Sequence, residues 1–393
     1  MVKTIMAIIF SILIQFVSGQ NRHLAKKSIP FKLIDNKYVL INAGVGETKS
    51  LTFFLDTGAT IGTLDKNIAQ KNNIKANYQK AIEGAGSSKT YDIALNQEIN
   101  VDGLKVEKVH FVLEDLASSK NGFGEPYDGL IGYSLLKDYI TEWDFDGKKI
   151  NLYDFNTKLD LSSYTEHSFT FDKEIRIPQI DVTITLENGK SYTGKVLFDT
   201  GAGFALVMNT PYNLENKILE QSTKSITSMS QNFGSKSTLT QIILPSLTFF
   251  GHNFSDLPMV ISSDTSGTAS RKDYLGILGT EIIYRFNFIL DYEKKKLYLK
   301  PNSLYRNPFE RMLTGFALTE NENKQIVVSD IIEQSPFYND GLRSGDEIVS
   351  INGIKNNFKE FRKILKTEHT EIVLNVKRGE KTFIIKRTLK RLL

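Results

Sequence analysis

Apolar and polar positions alternate with a period of two through most of the chain, which predicts strands with one buried face. YVLINAGV at 38–45 alternates, Gly46-Glu47-Thr48 turns, and a second strand runs into Asp-Thr-Gly at 56–58. The same order returns at 180–203 as IDVTITLENGKSYTGKVLFDTGAG, with Asn188-Gly189 as the hairpin turn. YDGLIGYSLLKDYITEWDFDGKKINLYDF (127–155) likewise has a counterpart in YLGILGTEIIYRFNFILDYEKKKLYLKP (274–301). Asp56 and Asp199 stand 143 residues apart, and the pairs Gly132–Gly279 and Asp144–Asp291 are each 147 apart. Landmarks in one order at nearly one spacing predict two pseudo-symmetric, strand-rich lobes, at 20–157 and 158–303. After Pro301 the pattern changes. A proline-bearing stretch of mixed charge (304–312) reads as a linker, followed by a strand from Thr314 and an apolar strand at 326–332. A helix over 358–369 and two closing strands complete a small α+β module, so that 304–393 forms a third unit of a mainly β protein.

The repeat gives Asp56 and Asp199 their meaning. Each ends an apolar strand, where an unpaired carboxylate costs several kcal/mol unless it is exposed, partnered or used. Equivalent residues of two lobes related by a pseudo-twofold axis meet at that axis, as they would in a homodimer. Two carboxylates that close cannot both ionise and so share one proton. The charged member can then take a proton from water while the protonated member polarises a carbonyl.

Composition narrows the setting. Positions 1–3 are positive, 5–17 is a 13-residue apolar run and SGQN follows, which reads as a signal peptide cleaved after Gly19 (residues 1–19). The run is short for a membrane span, so no stable span is expected after cleavage. There are no cysteines in 393 residues, which favours bacterial export to the periplasm or the medium. A net charge of +4 from 49 basic and 45 acidic residues gives no reason to expect a nucleic-acid partner. The five histidines lack metal-ligand spacing and no Gly-x-Ser-x-Gly occurs, which disfavours metal and serine hydrolases. GVGETKS (44–50) lacks the Gly-Lys-Ser of a phosphate loop, and WDFDGKK (143–149) lacks most calcium-loop ligands, so both are read as turns.

The twin Asp-Thr-Gly-Ala segments are each followed by two apolar residues and glycine (Leu130-Ile131-Gly132, Ile277-Leu278-Gly279). Over about 28–303 this resembles the retropepsin-like and pepsin-like aspartic proteases, in single-chain bacterial form. The resemblance implies Asp56 and Asp199 as catalytic residues supported by Thr57, Gly58, Thr200 and Gly201. It implies hairpin flaps, with Gly84 and Gly86 in one lobe and Phe233 and Gly234 in the other as candidates. Gly-Leu-x-x-Gly-Asp-x-Ile-x-x-Ile-Asn-Gly at 341–353 resembles the PDZ domain signature of bacterial envelope proteases. That implies a peptide or chain terminus bound by strand addition, with Gly315, Phe316 and Ala317 at the carboxylate loop. The expected activity is endopeptidase cleavage of polypeptides by a monomer needing no metal or other cofactor. The alternative is an inert protease-like scaffold that binds peptides through its PDZ domain.

Overall fold

The computed structural model describes residues 25–84, 86, 88–117, 125–171, 175–232, 235–333 and 335–393. The signal-peptide reading at 1–19 and the flap candidates Phe233 and Gly234 lie outside the described residues. The protein is mainly β, as the alternation predicts.

The two lobes have the same topology. In the first, strands run in the spatial order Lys32–Ile34, Tyr38–Val45, Thr48–Leu55, Gly129–Ile131, Gly62–Asp65, Leu104–Glu114, Ser88–Val101 and Tyr78–Glu83. In the second the order is Gln179–Thr185, Ser191–Phe198, Gly276–Leu278, Leu206–Met208, His252–Ser262, Ser235–Phe249 and Ile226–Asn232. In each, the strand ending at an aspartate pairs in parallel with the short strand before a landmark glycine, Leu55 with Ile131 and Phe198 with Leu278. Each sheet also curls upon itself, through Gly44 opposite Asn100 and Thr183 opposite Thr248.

A six-stranded sheet joins the lobes. Its centre is the antiparallel pair Ile140–Asp144 and Phe286–Asp291, with Ile140 opposite Asp291 and Trp143 opposite Phe288. Lys149–Tyr153 and Lys296–Pro301 flank that pair, and Lys27–Pro30 and Thr165–Ser168 form the edges. The pseudo-twofold axis passes between the central strands. Trp143 stacks on Phe288 at 5.0 Å and both are fully buried, within one apolar cluster drawn from both lobes. Truncating such a side chain costs about 3–5 kcal/mol.

The C-terminal module has its own core around Leu342, Ile351, Phe361, Leu374 and Val376. Its sheet runs Phe316–Glu320, Ile326–Ile331, Glu347–Ile351, Glu371–Arg378, Lys381–Thr388. Ser335 caps the short helix Pro336–Asn339, and Asn357 caps the helix Phe358–Leu365 by accepting from the Glu360 N–H. That second helix stops short of the expected His369. The Thr367 hydroxyl donates back to the Lys363 carbonyl and His369 takes a left-handed φ of 63°, which turns the chain into the strand from Glu371. The linker is fixed rather than loose. The buried Arg285 guanidinium donates to the Tyr305 and Asn307 carbonyls at 3.0 and 2.6 Å and lies 4.0 Å over the Phe309 ring. Among the described residues no helix is long and apolar enough to cross a membrane.

Candidate active site

Sheet pairing delivers the two aspartates to the axis. The Asp56 N–H donates to the Ile131 carbonyl at 2.9 Å and the Asp199 N–H to that of Leu278 at 3.0 Å, so each strand ends on its parallel neighbour. The threonines then cross. The Thr57 N–H donates to the Thr200 hydroxyl at 2.8 Å and the Thr200 N–H to the Thr57 hydroxyl at 3.0 Å. The Thr57 hydroxyl donates in turn to the Phe198 carbonyl at 2.7 Å, and that of Thr200 to Leu55 at 3.3 Å. Both threonines are buried, so this lattice fixes one loop against the other.

Glycine is required where the loops converge. A Cβ on Gly58 would stand 2.6 Å from the Asp199 carboxyl oxygens, and one on Gly201 would collide with the Asp56 carboxyl. Each glycine N–H instead donates to the Oδ1 of its own loop's aspartate at 2.7 Å. Behind the loops, a Cβ on Gly132 would strike the Asp56 carbonyl oxygen, and one on Gly279 those of Ala202 and Phe204. The next residues take up the loop carbonyls, with the Tyr133 N–H donating to Ala59 at 3.0 Å and the Thr280 N–H to Ala202 at 2.8 Å. The buried Tyr284 hydroxyl donates to the Thr200 carbonyl at 3.1 Å.

The Asp56 and Asp199 carboxyls lie within hydrogen-bonding reach of each other. Burial raises the Asp56 pKa well above the ordinary carboxyl value, and the neighbouring Asp199 charge raises it further. Burial also raises that of Asp199, against the hydrogen bonds it accepts. With nearly mirrored surroundings the raised values belong to the pair rather than to either residue.

The other residues singled out in the sequence fall in three places. Gly84 and Gly86 lie at the tip of the hairpin between Tyr78–Glu83 and Ser88–Val101. There the Thr268 N–H donates to the Gly84 carbonyl at 2.9 Å and the Ser266 hydroxyl to that of Gly86 at 3.0 Å, so the first lobe's hairpin reaches the second lobe. Gly315 has a left-handed φ of 71° and its carbonyl accepts from the Ile332 N–H at 2.7 Å. Phe316 opens and the exposed Ala317 continues the strand Phe316–Glu320, which among the described residues pairs on one side only. Phe316 and Leu318 are half-buried beside the helix Phe358–Leu365, whose Ile364 and Leu365 are also half-buried. Among the described residues no cluster of histidine, aspartate and glutamate could hold a metal ion.

Sequence reasoning missed the charged residues behind the second loop. Lys37 sits between Glu281 and Glu310, 2.7 and 2.8 Å from their carboxylates. No spacing marks these residues, because they come together only through the fold.

Comparison with known proteins gives two local matches. Residues 41–135 match the family described as aspartyl protease, and residues 304–385 match the PDZ domain family. No curated protein matches the chain. The protein therefore has an aspartyl-protease-like domain followed by a PDZ domain region.

Proposed function

We propose that this protein is an aspartic endopeptidase in which Asp56 and Asp199, sharing one proton, activate a water against a peptide carbonyl. The observation that carries the reading is the mirrored geometry of the two Asp-Thr-Gly loops, each glycine against the opposite carboxyl and each threonine bonded across the axis. Such a site keeps two acidic groups buried together, a costly arrangement that general acid–base hydrolysis uses directly. Thr57, Gly58, Thr200 and Gly201 hold the pair rigid, and the hairpin bearing Gly84 and Gly86 covers the substrate. The PDZ region adds an extended peptide along Phe316–Glu320, with Gly315, Phe316 and Ala317 at its entrance, and so recruits substrate or regulates cleavage. The first 19 residues direct export, which N-terminal sequencing of the mature protein tests.

The decisive experiment is cleavage of a peptide library by the full chain with and without a statine-type mimic, whose hydroxyl takes the place of the attacking water. Wild type is expected to cleave and to be blocked. Asp56→Asn and Asp199→Asn should each lower kcat by about a thousandfold or more, and the double variant should be no worse, because the pair acts as a unit. A folded wild type that cleaves nothing would leave the PDZ-based peptide-binding protein as the reading.

A further inference from the structure

A chain of ion pairs runs from the PDZ helix to the second Asp-Thr-Gly loop. Asp35 and Asn36, at φ 52° and 55°, form the tight turn that opens the strand Tyr38–Val45, closed by the Lys37 N–H on the Ile34 carbonyl at 2.8 Å. The turn presents Asp35 to the PDZ helix, where Arg362 approaches it to 2.6 Å and Lys366 to 3.2 Å. Lys366 also lies 3.3 Å from Glu310 of the linker, and Glu310 pairs with Lys37. Lys37 completes the path to Glu281. The set holds three cations (Lys37, Arg362, Lys366) and three anions (Asp35, Glu281, Glu310), so it is internally neutral.

The far end of this path touches the catalytic loop. Glu281 follows Thr280 in the segment that braces residues 202–205, and its own N–H donates to the Phe204 carbonyl at 3.3 Å. Next to Lys37 in sequence, Tyr38 meets the same loop from the other side, where a Cβ on Gly203 would collide with the Tyr38 hydroxyl. Exposed ion pairs do little to fix a structure. Here the side chains of Lys37 and Glu281 are only 18% and 11% exposed, and the second Glu281 carboxylate oxygen is buried with no hydrogen-bond partner. Removing Lys37 would strip that carboxylate of its 2.7 Å ion pair, leaving it the Arg285 charge alone among the described residues, and would loosen the segment that carries it.

We propose that Lys37 is a positioning residue for the second Asp-Thr-Gly loop. Through Asp35 and Glu310 it ties that loop to the helix walling the PDZ groove. The proposal rests on reading Asp56 and Asp199 as the catalytic pair. Its regulatory content follows from reciprocity: an extended peptide that shifts Phe358–Leu365 on entering the groove changes the loop, and loop geometry changes the peptide's affinity by the same factor.

The test uses the full chain and two readouts, kcat and KM on a short fluorogenic peptide and hydrogen exchange of the 201–205 amides. Lys37→Met is expected to lower kcat about tenfold, within the usual range of such coupling, with KM changed less than about twofold. Exchange at 201–205 should quicken, and Lys37→Arg should restore both readouts. Arg362→Gln should lower kcat by about two- to threefold in the wild-type background and add nothing to Lys37→Met, since the path is already cut. Wild-type kcat and exchange in Lys37→Met, or an undiminished Arg362→Gln effect in the double variant, would overturn the proposal. Should Lys37→Met fail to fold, Glu310→Gln on the exposed side of Lys37 takes its place, with the same outcomes deciding. If wild type proves inactive on every peptide, the catalytic reading falls and exchange alone decides on the relay.

Discussion

Asp56 and Asp199 sit where ionisation is disfavoured, and the cost is borne by the fold. Burial raises both carboxyl pKa values, and the Asp199 charge adds to the rise at Asp56. Between the unfolded value of about 3.9 and the raised native value, the folded chain holds a proton that the unfolded chain has lost. This contribution to stability is complete below the unfolded value and is lost as pH rises through the native one. Asp199→Asn should therefore melt a few degrees higher than wild type at pH 7 and at nearly the same temperature at pH 4. Equal loss of melting temperature at both pH values would show that the Gly201 N–H bond to the carboxylate outweighs the burial. The same directions set the activity profile. The proposed hydrolysis needs the singly protonated pair, so both limbs move upward and kcat/KM should peak under mildly acidic to neutral conditions. Ala59 and Ala202 fit this, since neither offers a side-chain hydroxyl to steady the charge. A maximum at about pH 2–3, where gastric pairs work, would contradict it.

The loops and the strands that end in them stand or fall together. Thr57→Val would strip the partners from a buried N–H and a buried carbonyl, those of Thr200 and Phe198. Each such orphan costs about 1–3 kcal/mol, so urea denaturation should show a loss of roughly 2–5 kcal/mol, with Thr57→Ser largely spared. Gly132→Ala should be worse still, because its Cβ meets fixed backbone rather than a side chain that can swing away. Little soluble protein is expected, and a well-folded Gly132→Ala chain would show that the loop can shift. These elements were legible in the sequence for a physical reason. Period-two alternation, Asn188-Gly189 and the repeated landmarks are local consequences of strands and turns, and the repeat doubles each signal. Glu281, Glu310, Lys37 and Arg362 were not legible, because ion pairs across loops leave no periodic trace. The helix end was misplaced by four residues, since KTEH at 366–369 has polar composition compatible with either state.

At the scale of the molecule, both carboxyls come from one polypeptide and the central sheet is complete within it. Specific activity should therefore stay constant over a hundredfold or so dilution, since no association step assembles the site. A collapse on dilution would show that a second copy is required. The linker anchored by Arg285 gives a second expectation. Arg285→Ala would release its bonds to the Glu281, Leu304, Tyr305 and Asn307 carbonyls and the Phe309 contact, and should cost about 2–4 kcal/mol in denaturant titrations.

The sheet shared between the lobes also imposes an order in time. Ile140–Asp144 leaves the ribosome early, yet its neighbour Phe286–Asp291 follows only after the whole second barrel has been translated. At about 5–20 residues per second, the nascent chain carries Asp56 for roughly ten seconds or more before the strand that completes the axis is made. Asp199 is made within that interval, yet the central sheet that sets the two lobes against each other is still incomplete. The loops bearing Asp56 and Asp199 can therefore be locked across the axis only after translation has passed the strand Phe286–Asp291.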